Sequence, residues 1–137
     1  MSLIYKRVYK KYQTNIMFVK FTEKDYPNIS VTFGKDIHTD DEYNHFIQKW
    51  TEINNRRNKY NFIVDARELE SVSMKYTLKL ISHLIQLKCE PVHYLQETHL
   101  LINSDYVYNL LQYIFKVITP LSKVHIYYND QIMIINN

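Results

Sequence analysis

Tyr60-Asn-Phe-Ile-Val-Asp-Ala-Arg-Glu-Leu-Glu-Ser-Val-Ser-Met-Lys-Tyr-Thr-Leu-Lys-Leu-Ile-Ser-His-Leu-Ile-Gln-Leu87 reads as a strand, a loop and a helix, and this order decides the fold class of the chain. The uninterrupted apolar run Phe62, Ile63 and Val64 predicts a strand covered on both faces, hence central in its sheet. Asp65 ends the run and a polar loop follows. Ser73 then stands as an N-cap, and Leu78, Ile81, Leu84 and Ile85 place an apolar stripe at helical spacing.

On the N-terminal side, Asn15 to Thr22 alternates, with Met17, Val19 and Phe21 on one face. Asp25-Tyr-Pro-Asn28 has turn composition, and Ile29, Val31 and Phe33 alternate with Ser30 and Thr32, so the two runs predict an antiparallel hairpin. Thr39-Asp-Asp-Glu42 is a capping box that starts a helix, along which Tyr43, Phe46, Ile47, Trp50 and Ile53 form the buried stripe. Arg56, Arg57 and Lys59 fall where positive charge complements a helix C-terminus. Before all of this, Leu3 to Tyr12 interleaves tyrosines with Lys6, Arg7, Lys10 and Lys11. That pattern suits an edge strand guarded by lysines, or a short basic surface for single-stranded nucleic acid or anionic lipid.

On the C-terminal side, Cys89-Glu-Pro91 interrupts the periodicity and Thr98 to Ile102 reads as another interior strand. Ser104 or Asp105 caps a third helix carrying Val107, Leu110, Leu111, Ile114, Phe115 and Ile118, with Pro120 as its stop. Val124, Ile126 and Tyr128 give a last strand. Asn129-Asp130 opens a tail, residues 129–137, that reads as a brief helix or an extended segment. The expected architecture is α/β: a single mixed β-sheet with an N-terminal antiparallel hairpin followed by alternating helices and parallel strands.

A chain of 137 residues fits one domain, 1–137, with 1–12 as a peripheral segment. Its 46% hydrophobic and 23% charged residues match a folded protein. The formal charge of +3 and pI near 8.8 fall short of a phosphate-binding surface, so no nucleic acid partner is expected. No apolar run reaches membrane-spanning length and the N-terminus has no secretory signature. With one cysteine, Cys89, no internal disulfide can form, and a cytoplasmic setting is the expectation. Thirteen tyrosines among abundant Asn, Ile and Lys suggest an AT-rich coding genome. A single glycine, Gly34, leaves no material for a Gly-rich phosphate loop.

The six histidines show none of the spacings of zinc sites, so no metal and no cofactor are expected, and nothing in the sequence calls for an enzyme. Asp65 and Arg67 sit at the carboxyl end of the central strand, where open α/β sheets bind ligands. They are a candidate for a polar ligand, set against the simpler reading that Asp65 accepts loop N–H groups and pairs with Arg67.

The hairpin, the Thr39-Asp-Asp-Glu42 helix start, the Phe-Ile-Val-Asp65 strand and the loop to Ser73 together resemble the STAS-like family, which includes bacterial anti-sigma factor antagonists. In that family the helix after the central strand begins with Asp-Ser-Ser/Thr-Gly, whose phosphorylation switches partner binding. The matching stretch here is Ser73-Met74-Lys75-Tyr76, which lacks both the switch serine and the glycine; Ser71 or Ser73 is the nearest acceptor. The resemblance implies a non-catalytic, regulatory protein-interaction module that contacts another protein through Glu68, Ser71, Ser73, Met74, Lys75 and Tyr76. Related lipid-carrying α/β domains suggest an alternative, a carrier with an apolar pocket between helices and sheet. A homodimer through Ile132, Met133, Ile134 and Ile135 stays open.

Overall fold

The computed structural model describes residues 19–136. The Leu3–Tyr12 segment and the start of the Asn15–Thr22 run lie outside the described residues.

The expected α/β architecture is present. Val19–Asp25 (β1) and Asn28–Phe33 (β2) form an antiparallel hairpin, followed by a short strand Asp36–Ile37 (β3) and helix Asp40–Asn54 (α1). Then come Tyr60–Ala66 (β4), a two-residue strand Ser71–Val72 (β5) and helix Met74–Lys88 (α2). Leu95–Ile102 (β6), helix Asp105–Val117 (α3), Lys123–Tyr128 (β7) and Gln131–Ile135 (β8) complete the chain. Six strands form one sheet in the order β1-β2-β4-β6-β7-β8, parallel from β2 to β7 and antiparallel at both ends. β3 and β5 pair separately, in parallel.

Local chemistry sets the helix starts. Thr39 and Glu42 form the predicted capping box, with Glu42 N–H donating to the Thr39 hydroxyl and Thr39 N–H to the Glu42 carboxylate. The hydroxyls of Ser73 and Ser104 cap α2 and α3. The three helices among the described residues pack on one face of the sheet. Phe46 and Trp50 of α1, Leu80 of α2 and Leu111 of α3 meet Phe62, Val64, Leu100 and Val124 there.

The other face of the sheet corrects one expectation. Along β4 burial alternates, with Phe62 and Val64 buried and Ile63 37% exposed, so the central strands are covered on one face by the described residues and not on two. A run of three apolar residues cannot separate the two cases when the middle residue sits among polar neighbours, and Ile63 pairs with Ser30 on one side and His99 on the other. The Leu100-Leu101-Ile102 run behaves alike: Ile102 is buried under the helices and Leu101 lies in the row of Asp65 and Tyr127.

One terminal expectation changes and one open choice is decided. α1 ends at Asn54 with no basic residue in its last turn. Arg56 instead clamps Glu23 of β1 with both guanidinium nitrogens, at 2.5 and 3.0 Å, which ties the helix exit to the hairpin. The tail after Asn129-Asp130 is a strand. Both residues take positive φ, 51° and 61°, the turn geometry that folds β8 back on β7. Met133 and Ile135 of β8 pack against the core, while Ile132 and Ile134 point away from it, 60% and 52% exposed.

Candidate functional site

The loop between β4 and α2, with the first turns of α2, is the surface the sequence singled out, and the fold holds it from three sides. Glu70 and Ser71 N–H groups donate to the Lys35 carbonyl, and Ser73 N–H donates to the carbonyl of Ile37 in β3. From the opposite side the Tyr106 hydroxyl of α3 reaches both the N–H and the carbonyl of Val72, each at 3.0 Å. Leu69 is buried beneath. Backbone bonds to two flanking elements hold this loop in one shape, which reduces the ordering entropy that contact with a partner costs.

At its start, Asp65 accepts three bonds from Arg67: backbone N–H at 3.1 Å, Nε at 2.9 Å and Nη2 at 2.8 Å. These bonds hold the Asp65 carboxyl below its ordinary range. The pair is closed on itself as the simpler reading of these residues expected, and the carboxylate oxygens face their own loop. Glu68 and Ser71 are exposed, and Ser73 is the N-cap of α2, its hydroxyl accepting from Lys75 N–H at 3.3 Å.

Met74 and Lys75 are exposed as expected, but Tyr76 is not: its ring is 5% exposed and stacks on Tyr43 of α1, centroids 5.4 Å apart. Helical geometry turns position 76 inward, a rotation of about 100° per residue from the outward Lys75. The Tyr76 hydroxyl still emerges, donating to Asp40 at 2.5 Å, and Lys75 reaches the same carboxylate at 3.1 Å. The hydroxyl and then the ammonium hold the Asp40 carboxyl below its usual range. Lys79 lies over both tyrosine rings, 5.9 Å from the Tyr43 centroid and 5.7 Å from that of Tyr76.

The apolar stripe of α2 differs from expectation in the same way. Ile81 is buried and Leu84 packs on the core, whereas Leu78 and Ile85 are 51% and 47% exposed, in line with Met74 at 58%. α2 is apolar on two faces. Its inner face runs through Thr77, Leu80, Ile81, Leu84 and Leu87, and its outer face through Met74, Leu78 and Ile85.

A second cluster, on the face of the sheet opposite the three described helices, does not follow helical or Cys-type ligand spacings. Glu97 and His99 lie two apart on β6 and so share a face, and the register sets His125 of β7 directly beside His99. The imidazoles stack, centroids 4.3 Å apart and planes 11° apart. Glu97 Oε1 lies 3.3 Å from His99 Nε2 and 3.4 Å from His125 Nε2. The Tyr127 hydroxyl meets His99 Nδ1 at 2.8 Å. The strand alternation Glu97-x-His99 and His125-x-Tyr127 was the available signal. A third group, Asp36, His38 and Glu42, is accounted for by the cap of α1, because Glu42 Oε1 accepts from the N–H groups of His38 and Thr39.

Two apolar cavities lie between helices and sheet. One, of about 130 Å³, opens among Trp50, Phe62, Leu84, Leu95, Phe115 and Val124; the other, of about 100 Å³, among Phe33, Tyr43, Leu69, Val72 and Val107. Phe46, Leu80, Leu100, Leu111 and Ile114 line both.

No family model, curated protein or solved structure matches this chain. Among the described residues no helix is long and apolar enough to cross a membrane.

Proposed function

We propose that this chain is a non-catalytic, regulatory protein-interaction module of the STAS-like kind, working in the cytoplasm, whose contact surface is the outer face of α2 with the loop that precedes it. The observation that carries this reading is the line of Met74, Leu78 and Ile85, each about half exposed along three turns of the helix, roughly 16 Å at the helical rise. Helices that serve only the core bury one stripe and leave the other face polar. Lys75 and Lys79 rim this line, so the complementary partner presents an apolar surface edged with acidic residues. The bonded loop supplies a rigid border, and the Asp65–Arg67 pair serves the loop rather than a reaction.

The test is affinity capture from host lysate on the wild-type chain and on a Leu78→Asp, Ile85→Asp variant of equal melting temperature. One protein retained in stoichiometric amount by the wild type and lost by the variant supports the module. Equal retention, or none by either, removes the reading.

The cavities favour a second reading, an apolar-ligand carrier, but limit its cargo. Ligand sites for drug-sized molecules span about 300–1,000 Å³, whereas the larger cavity is about 130 Å³, close to the roughly 150 Å³ engineered cavity that binds benzene. A single ring fits and a lipid chain does not. Indole or benzene should then raise the melting temperature of the wild type and have no effect on a Leu111→Phe variant that fills the shared space. No shift with the wild type rejects the carrier.

A further inference from the structure

We propose that Glu97, His99 and His125 form a binding site for one borderline divalent transition-metal ion, of which zinc is the representative, on the face of the sheet opposite the three described helices. Three donor atoms of the right kind converge there: two imidazole nitrogens and a carboxylate oxygen, all within 4.8 Å of one another. Their spacing fits an ion. A tetrahedral zinc with bonds of about 2.0–2.1 Å holds its ligand atoms about 3.3 Å apart, and Glu97 Oε1 stands 3.3 and 3.4 Å from the two Nε2 atoms.

The protein by itself leaves this cluster incompletely satisfied. His125 Nε2 is buried and has no hydrogen-bond partner, although Glu97 Oε1 lies 3.4 Å away without the alignment of a bond. Such orphaned atoms are uncommon and call for a cause. An ion in front of the two Nε2 atoms supplies one. On the far side of His99, Nδ1 lies 2.8 Å from the Tyr127 hydroxyl, which can take the Nδ1 proton when an ion claims Nε2 and displaces the Nε2–Glu97 hydrogen bond. Capture needs the near-parallel rings to tilt toward a common point, a motion about χ2, whose energy well is broad for histidine.

The surroundings suit a metal as well. In the row across the sheet the histidine pair is flanked by Ile63 on β4 and Ile134 on β8, an apolar border that lowers the local dielectric around the ligands. The unfavourable neighbour is Lys123, paired in register with Glu97. With three protein ligands, a tetrahedral ion keeps its fourth position for water or a small anion, on the side facing away from the helices.

The exposed thiol of Cys89 is a competing soft ligand, so zinc titration calorimetry belongs in a Cys89→Ser background. The parent should bind one zinc per chain. His99→Ala, His125→Ala and Glu97→Gln should each weaken binding at least tenfold, Lys123→Ala should tighten it, and His93→Ala, in the loop before β6, should change nothing. Cobalt(II) in the same site should show the visible absorption of a tetrahedral ion, lost with Glu97→Gln, a change in a half-exposed side chain that leaves the fold intact. No stoichiometric binding by the parent up to millimolar zinc, or binding that survives Glu97→Gln and His99→Ala unweakened, overturns the assignment.

Discussion

Tyr60→Phe removes one oxygen atom from a side chain that is 0% exposed, and the structure states what is lost. The phenol accepts from Trp50 Nε1 at 3.0 Å and donates to Asn54 Oδ1 at 2.7 Å, joining the start of β4 to the last two turns of α1. Trp50 is 5% and Asn54 8% exposed, so water cannot replace the missing hydroxyl at either partner. Burial also holds the phenol far above its ordinary pKa, which keeps the donor protonated at any working pH. A buried polar group left without a partner costs about 1–3 kcal/mol, so two orphaned groups cost about 2–4 kcal/mol after partial relaxation. Against a urea dependence of about 2 kcal/mol per molar, the unfolding midpoint falls by about 1–2 M with the slope unchanged. Adding Asn54→Ala to Tyr60→Phe should cost less than the sum of the two single changes, because the second substitution removes a group the first one orphaned. Equilibrium urea unfolding followed by tryptophan fluorescence measures all four proteins of the cycle. A midpoint for Tyr60→Phe within about 0.2 M of wild type would refute the network as a determinant of stability.

Asp65→Asn should lower stability by only about 1 kcal/mol, because the Arg67 pair is partly solvated, and no activity should disappear with it; chemical denaturation gives the value. Thr39→Ala breaks the capping box of α1 and should cost about 1 kcal/mol, read from the same unfolding curves. His83 packs edge-on against Trp50 at 4.8 Å and burial lowers its pKa, with Glu90 opposing weakly. The unfolded chain therefore binds this proton more readily, so its contribution to stability is full above the ordinary value of 6.5 and is lost as pH falls from there through the lowered native value. Thermal melts between neutral and mildly acidic pH should show that loss, and His83→Leu should reduce it.

What was legible in the sequence was local. The Asp25–Asn28 turn, the caps at Thr39, Ser73 and Ser104 and the stripe of α1 depend on residues a few positions apart, and they stand where expected. Features set by distant partners were less legible. Whether Ile63 meets a second layer depends on what lies across the sheet, and whether Leu78 or Thr77 faces inward depends on a small rotation of a helix apolar on both sides. For the tail after Asn129-Asp130 a brief helix and an extended segment were both open, because Asn and Asp serve caps and positive-φ turns alike, and the extended form is the one present. Of the candidate contact residues, the placement of Met74 and Lys75 was legible and the inward turn of Tyr76 was not. For the histidine pair the chain carries only the alternation Glu97-x-His99 and His125-x-Tyr127, and that His99 and His125 meet is set by the β6–β7 register.

The six described strands of the main sheet lie side by side in the order in which they are synthesised. Each parallel strand therefore meets, on emerging, a template made just before it, and none has to be inserted between two strands already paired. Growth proceeds at one open border, a helix at a time, until the β8 hairpin closes it with purely local pairing. Such a chain can assemble from its N-terminal end while the rest is still being translated, with loop-closure distances that stay short throughout. A circular permutant opened between α2 and β6 breaks this order, since β6 would then be made before β4, the earlier of the two strands it pairs with.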